Sequence, residues 1–174
     1  MKTFFDRCTL AILYLAISGC ASNLAIMKPV ERISVPEKNM ALINFVRPKV
    51  FFGDALDYEV CDGTKFIGTL KAGTMVQYVT PPGDHHLMIN PTGGSSGKWG
   101  YKQLSIETGR VYYVKPNLIP YAGMELGLAE SSDNRIETWN TSLQPMAVDK
   151  SATASVPQER IDEANTNLSK FKTP

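Results

Sequence analysis

Cysteine is scarce in this sequence and neither sign of charge prevails. Three cysteines in 174 residues exclude a disulfide-dense scaffold. With 18 Lys and Arg against 17 Asp and Glu, the chain is not a strongly basic nucleic-acid binder. Its N-terminal apolar run, Cys8–Ile17, is about 10 residues long, where a bilayer span needs roughly 20. Only 20% of the residues are charged, and 12 aromatics fall between positions 40 and 139, which excludes a largely disordered chain. No complete catalytic set is spelled out anywhere. The sequence therefore speaks to location, anchoring and fold before it speaks to activity.

The N-terminus has the make-up of an export signal. Lys2 and Arg7 precede the apolar run, and the small residues Ser18 and Gly19 follow it. Ile17-Ser18-Gly19-Cys20 is similar to the lipobox of bacterial lipoproteins. Ser18 and Gly19 are small enough for a peptidase groove, and Cys20 supplies a nucleophile able to take a diacylglyceryl thioether. Cleavage between Gly19 and Cys20 would free an amine for a further acyl chain. Each buried CH₂ contributes about 0.8 kcal/mol, so one chain holds marginally and two hold stably. Ala21 and Ser22 follow, and the lack of Asp at position 21 implies, by the sorting of such lipoproteins, the periplasmic face of the outer membrane rather than the inner membrane. Removal of 1–19 takes away Lys2, Arg7 and Asp6 and leaves a formally neutral chain. Cys61 is then the one unmodified thiol, so no internal disulfide can form.

Composition divides the remainder. Residues 20–38 hold Pro29 and Pro36 without a sustained period and read as a lipidated tether. Residues 39–143 carry nearly all the aromatics and read as the domain. Ser, Thr, Ala and Pro then dominate, which predicts a linker over 144–157. Ile161, Ala164, Leu168 and Phe171 recur at near-helical spacing, which predicts a short helix and tail over 158–174.

Within 39–143 the alternation and punctuation predict β structure. Apolar or alternating runs fall at Met40–Arg47, Leu56–Cys61, Lys65–Leu70, Met75–Val79, His86–Ile89, Tyr101–Glu107, Val111–Val114 and Met124–Leu128. Pro48, Asp62-Gly63, Pro81-Pro82-Gly83-Asp84, Asn90-Pro91 and Thr108-Gly109 separate them. Seven or eight short strands so punctuated predict an all-β, antiparallel β-sandwich or barrel.

The ordered words Ala41-Leu42-Ile43…Arg47-Pro48, Asp62-Gly63, Leu70-Lys71-Ala72-Gly73, Pro81-Pro82-Gly83-Asp84-His85 and Gly109-Arg110-Val111-Tyr112-Tyr113-Val114 resemble a family of small bacterial lipoproteins whose shared domain has no assigned function. The turn words are also similar to surface-layer β-sandwich modules with a P-E-G-A signature. The resemblance covers about residues 39–143. It implies a sandwich on a lipid anchor and no catalytic residues. The chain departs from that pattern in its Gly/Ser-rich stretch at 92–100 and its long tail.

Several residues invite chemistry. Gly93-Gly94-Ser95-Ser96-Gly97-Lys98-Trp99 lacks the spacing of a phosphate loop and reads as a flexible hairpin loop. Ser95-Ser96-Gly97-Lys98 matches the S-x-x-K word of penicillin-binding enzymes, but its S-D-N and K-T-G partners are absent. Cys61 with His85 or His86 could form a thiol hydrolase pair, yet Cys61 ends a strand rather than starting a helix. His85 and His86 are consecutive on a strand and point to opposite faces, which does not suit one metal ion. His85 is expected to bond the Pro81–Asp84 turn. Val50-Phe51-Phe52-Gly53 lies outside the alternation, either capping the sandwich or forming a contact patch with Trp99, Tyr121 and Trp139.

The expected function is a non-catalytic, lipid-anchored envelope lipoprotein, a structural or binding module with contact surfaces at 48–54 and 92–100. The expected contact residues are Phe51, Phe52 and Trp99. Its expected partners are the membrane, through the lipid on Cys20, and an envelope protein. No metal, cofactor, nucleic acid or small-molecule substrate is expected. Two alternatives compete: an envelope hydrolase using Cys61 or Ser95, and an assembly factor docking a partner through the 48–54 loop or the tail helix.

Overall fold

The computed structural model describes residues 26–50, 54–92, 99–119, 123–149 and 158–172. The strands are β1 (Met27–Pro29), β2 (Ala41–Arg47), β3 (Tyr58–Asp62), β4 (Lys65–Leu70), β5 (Thr74–Thr80), β6 (Gly83–Pro91), β7 (Gly100–Ile106), β8 (Val111–Ile119), β9 (Gly123–Ala129) and β10 (Gln144–Val148). Helix α1 spans Arg135–Ser142 and α2 spans Gln158–Lys172. One sheet has the order β1-β10-β5-β2-β8-β9 and the other β4-β3-β6-β7. The fold is thus the expected all-β sandwich, and each of the eight expected strands is present, as β2 to β9.

Proline and glycine set the changes of direction. Pro81 and Pro82 lack N–H groups, so they interrupt the ladder and let the chain cross from β5 in the first sheet to β6 in the second. At Asp62-Gly63 the chain reverses from β3 into β4, and Gly63 takes φ +55°, a conformation costly for other residues. Gly100 serves closeness instead. A Cβ there would meet Ile89 and Met124 at 2.8 and 2.9 Å, so β7 and β9 come together along one long side of the sandwich.

Alternation places the core between the sheets. β2 is the most buried strand, flanked by β5 and β8, with all seven of its residues buried. Ala41, Ile43 and Phe45 face Val60, Leu70, Leu87 and Ile89 of the second sheet. Phe45 is fully enclosed, and cutting such a side chain to Ala costs about 3–5 kcal/mol.

Two features depart from expectation. The ladders β2–β8 and β10–β5 are parallel, not antiparallel. Both strands arrive by crossover rather than hairpin, β8 from the second sheet and β10 after α1. In addition, β1 and β10 pair with each other inside the stretches read as tether and linker, with Met27 opposite Val148 and Pro29 opposite Met146. Three residues are too few to display a period of two, and Pro145 hides the strand character of β10.

Each outer face carries one helix. Helix α1 lays Trp139, with Leu143 beyond its end, on Val46 and Met75 of the first sheet. Residues 31–33 run beside it. Arg32 Nη2 donates to the Leu143 carbonyl at 2.7 Å, and Ile33 exchanges two 2.8 Å hydrogen bonds with the Gln77 side chain. On the second sheet, Leu168 of α2 packs with Cys61, Met88, Trp99, Phe66 and Tyr101.

Candidate functional site

The polar side chains of interest gather at the two ends of the core. Strand alternation explains how they come there. In β2 the inward positions are 41, 43 and 45, so the next one is Arg47. In β6 Leu87 and Ile89 face inward, and so does His85.

At one end stand the Asp62-Gly63 turn, the Pro81-Pro82 crossover and the Thr108-Gly109 turn. Here Asp62 is the hub. Its Oδ2 accepts from the Tyr78 hydroxyl at 3.1 Å and lies 2.6 Å from His85 Nδ1. Its Oδ1 accepts from the His86 backbone N–H at 3.1 Å. The other ring nitrogen of His85, Nε2, is 3.0 Å from the Pro81 carbonyl oxygen. Oxygens therefore flank both ring nitrogens of His85 within hydrogen-bond distance. Lys65 lies over the Tyr78 ring, 4.7 Å from its centroid, and donates to its hydroxyl at 3.4 Å. The His85 and Asp62 side chains are only 11% and 12% exposed. The cluster ties β3, β4 and β6 to β5, and so one sheet to the other.

At the opposite end stands Arg47, which is 5% exposed. One of its nitrogens, Nη1, donates to the carbonyls of Leu56 and Leu70, the second at 3.0 Å. The guanidinium lies over the Tyr58 ring, 3.7 Å from its centroid. Burial lowers its pKa from the ordinary arginine value, while Tyr58, Asp54 and Asp57 act the other way. The Arg47 hydrogen bonds satisfy carbonyls where the strands run out, which a methylene chain could not do.

Cys61 belongs to neither end. It lies on the outer face of the second sheet under α2, 7% exposed. Its thiol is pushed up to about 12 by burial first, then by Glu59 and Asp62. A thiol held so high has almost no thiolate at neutral pH, and the thiolate is the nucleophile. His85 faces the interior, on the other side of the sheet from Cys61. His86 faces outward, stacks on Tyr101 and has Nδ1 2.6 Å from its hydroxyl. The two histidines diverge as the strand requires, and no group of three metal-ligating residues occurs among the described residues.

The remaining sequence-predicted residues fall as follows. Trp99 is 9% exposed, buried with Met88 and Cys61, and its Nε1 donates to Glu163 of α2 at 3.3 Å. Trp139 is 3% exposed beneath α1. Gly19, Cys20, Phe51, Phe52, Ser95 and Tyr121 lie outside the described residues. No helix among the described residues is long and apolar enough to cross a membrane.

Sequence reasoning missed Arg47, Asp62 and Tyr78 as a set. Arg47 reads as a strand terminator before Pro48, and Asp62 as a turn residue before Gly63. The signal was there in register: both continue the inward parity of their strands. No family model, curated protein or solved structure matches this chain.

Proposed function

We propose that this chain is a non-catalytic, lipid-anchored β-sandwich of the bacterial cell envelope. It serves as a structural or binding module, held through Cys20 on the periplasmic face of the outer membrane. The family of small lipoproteins that residues 39–143 resemble accords with this reading. The observation that carries it is the state of the reactive side chains. Cys61 is buried, protonated and separated by the sheet from His85, while His85 is taken up by Asp62 and Pro81 in closing the core. Side chains committed to holding two sheets together are poorly placed to act on a substrate.

The anchor is tested by intact mass and by labelling. Protein from the membrane fraction should lack residues 1–19 and carry acyl groups. Cys20→Ala should accumulate as precursor that takes up no labelled fatty acid. Unlabelled wild-type protein with a free Cys20 thiol would remove the anchor. The non-catalytic reading falls if an ester or peptidoglycan-fragment screen finds turnover that Cys61→Ala or Ser95→Ala abolishes.

A further inference from the structure

The folded domain takes hold of its N-terminal segment very early. Asp149 donates its backbone N–H to the Ile26 carbonyl at 2.7 Å, and β1 then pairs with β10 over Met27–Pro29. Lys28 and Asp149 form an ion pair at 3.2 Å across the same ladder. Beyond β1, Arg32 and Ile33 are bonded to Leu143 and Gln77. The stretch read as a tether is therefore part of the sandwich from Ile26 onward.

Ile26 also sits at a definite end. β10 runs parallel to β5 with Gln144 opposite Thr74 and Met146 opposite Val76, so Asp149 lies level with the Thr80 end of β5. That end holds Ala41, the Pro81-Pro82 crossover and Asp62. Arg47 and Gly73 lie at the other end, a strand of about 20 Å away.

We propose that the sandwich stands on the phospholipid headgroups with its Asp62 end toward the bilayer and its Arg47 end toward the aqueous space. This rests on the reading of Cys20 as the lipid-bearing first residue. Residues 21–25 alone separate that lipid from Ile26, and a chain of that length reaches about 20 Å at most. Such a tether is no longer than the strands themselves. It holds the Ile26 corner next to the lipid, and only a tether drawn out to full extension along the whole strand length would let the Arg47 end meet the bilayer. The exposed charges of the Asp62 end are mixed: Arg110 and Glu107 pair at 3.2 Å with side chains 69% and 71% exposed. A surface of both signs suits headgroups without strong adhesion, so tether length sets the orientation.

The test uses full-length lipidated protein in which Cys61→Ala has removed the free thiol. A donor dye is placed by Lys38→Cys at the Asp62 end or by Lys71→Cys at the Arg47 end, both exposed positions. The protein is reconstituted into phosphatidylethanolamine and phosphatidylglycerol vesicles carrying a headgroup acceptor. Energy transfer should be higher at position 38 by roughly twofold or more, as an offset of about one strand length requires. A flexible insertion of about 20 Gly and Ser residues after Ser22 should bring the ratio to one. Equal or reversed transfer in protein of verified acylated mass overturns the orientation and leaves the anchor standing. An asymmetry that survives the insertion overturns the tether as its cause. Protein that carries no acyl mass and does not bind vesicles removes the anchor and the orientation together.

Discussion

The two ends of the sandwich are closed by the same device with its parts exchanged. At one end a cation from the first sheet, Arg47 of β2, lies on a tyrosine from the second, Tyr58 of β3. At the other a cation from the second sheet, Lys65 of β4, lies on a tyrosine from the first, Tyr78 of β5. Each pair joins the sheets where the apolar core runs out. The difference lies in what satisfies the polar atoms. Arg47 is buried and bonds backbone carbonyls. The Tyr78 end bonds a carboxylate and an imidazole, and its lysine is exposed. A guanidinium stays charged at any ordinary pH, so the Arg47 end is closed by a fixed charge. The Asp62 end is closed instead by a network of side chains that bond one another.

The largest break in this comparison is expected at Arg47. Arg47→Met keeps the apolar stem and removes the nitrogen that donates to the Leu56 and Leu70 carbonyls. Chemical denaturation should show a loss of about 3 kcal/mol. Arg47→Lys keeps the charge but not the forked donors of a guanidinium, and should recover only part of it. A loss under about 0.5 kcal/mol in Arg47→Met would mean that water satisfies this end.

Asp62 should follow. Asp62→Ala takes an acceptor from Tyr78, His85 and the His86 backbone at once and should cost about 2 kcal/mol. Tyr78→Phe removes only one of those bonds and should cost about 1 kcal/mol. If the ends are equivalent closures, Arg47→Met and Asp62→Ala should add, since they sit a strand length apart. A coupling above about 1 kcal/mol would show that the sheets move together rather than being pinned separately.

These ends mark the limit of what the sequence discloses. The eight strands β2–β9 were legible because each is an apolar or alternating run and most are stopped by Pro, Gly or Asn. The tail helix was legible from its spacing of Ile161, Ala164, Leu168 and Phe171. Three elements were not. β1 is too short to show a period, β10 contains Pro145, and α1 carries Asn, Thr and Ser, which favour caps and turns over helix interiors. Tertiary packing of Trp139 on Val46 and Met75 outweighs that preference. The plugs were hidden for another reason. Arg47 and Asp62 carry the residue types of strand ends and turns, and only the pairing of the sheets shows that both point inward. Trp99, read as a contact residue, is buried because α2 covers it.

Cys61, between the two ends, offers an alkaline probe. Its folded-state thiol is raised to about 12 from an ordinary value near 9. Between those values the unfolded chain loses the thiol proton while the folded one keeps it. Stability is therefore fully present below about pH 9 and falls as pH rises toward 12. Cys61→Ala should be slightly less stable at pH 7 and should show a shallower alkaline decline. The same burial predicts that a thiol reagent modifies native Cys61 far more slowly than the unfolded chain. Leu168→Ala, which loosens α2 over the cluster, should speed the reaction without changing the midpoint of unfolding by much.

The smallest effect is expected outside both plugs, at the start of α1. Asp133 Oδ1 accepts from the Arg135 backbone N–H at 2.9 Å, and its carboxylate grips the Arg135 guanidinium at 2.6 Å. The hydrogen bonds from that side chain hold the carboxyl at about 2, below the usual carboxylate range. A depressed carboxyl stabilises the fold above its ordinary value, and that contribution is lost as pH falls toward 2. The Arg135 side chain is exposed and the Asp133 carboxylate lies partly covered at the surface, so salt should weaken the pair and Asp133→Asn should shift the acid transition only slightly. Both arginines lie against an aromatic ring, Arg135 over Trp139 at 5.2 Å and Arg47 over Tyr58 at 3.7 Å. If Asp133→Asn proved as damaging as Arg47→Met, ion pairing rather than closure of the core would be what these contacts supply.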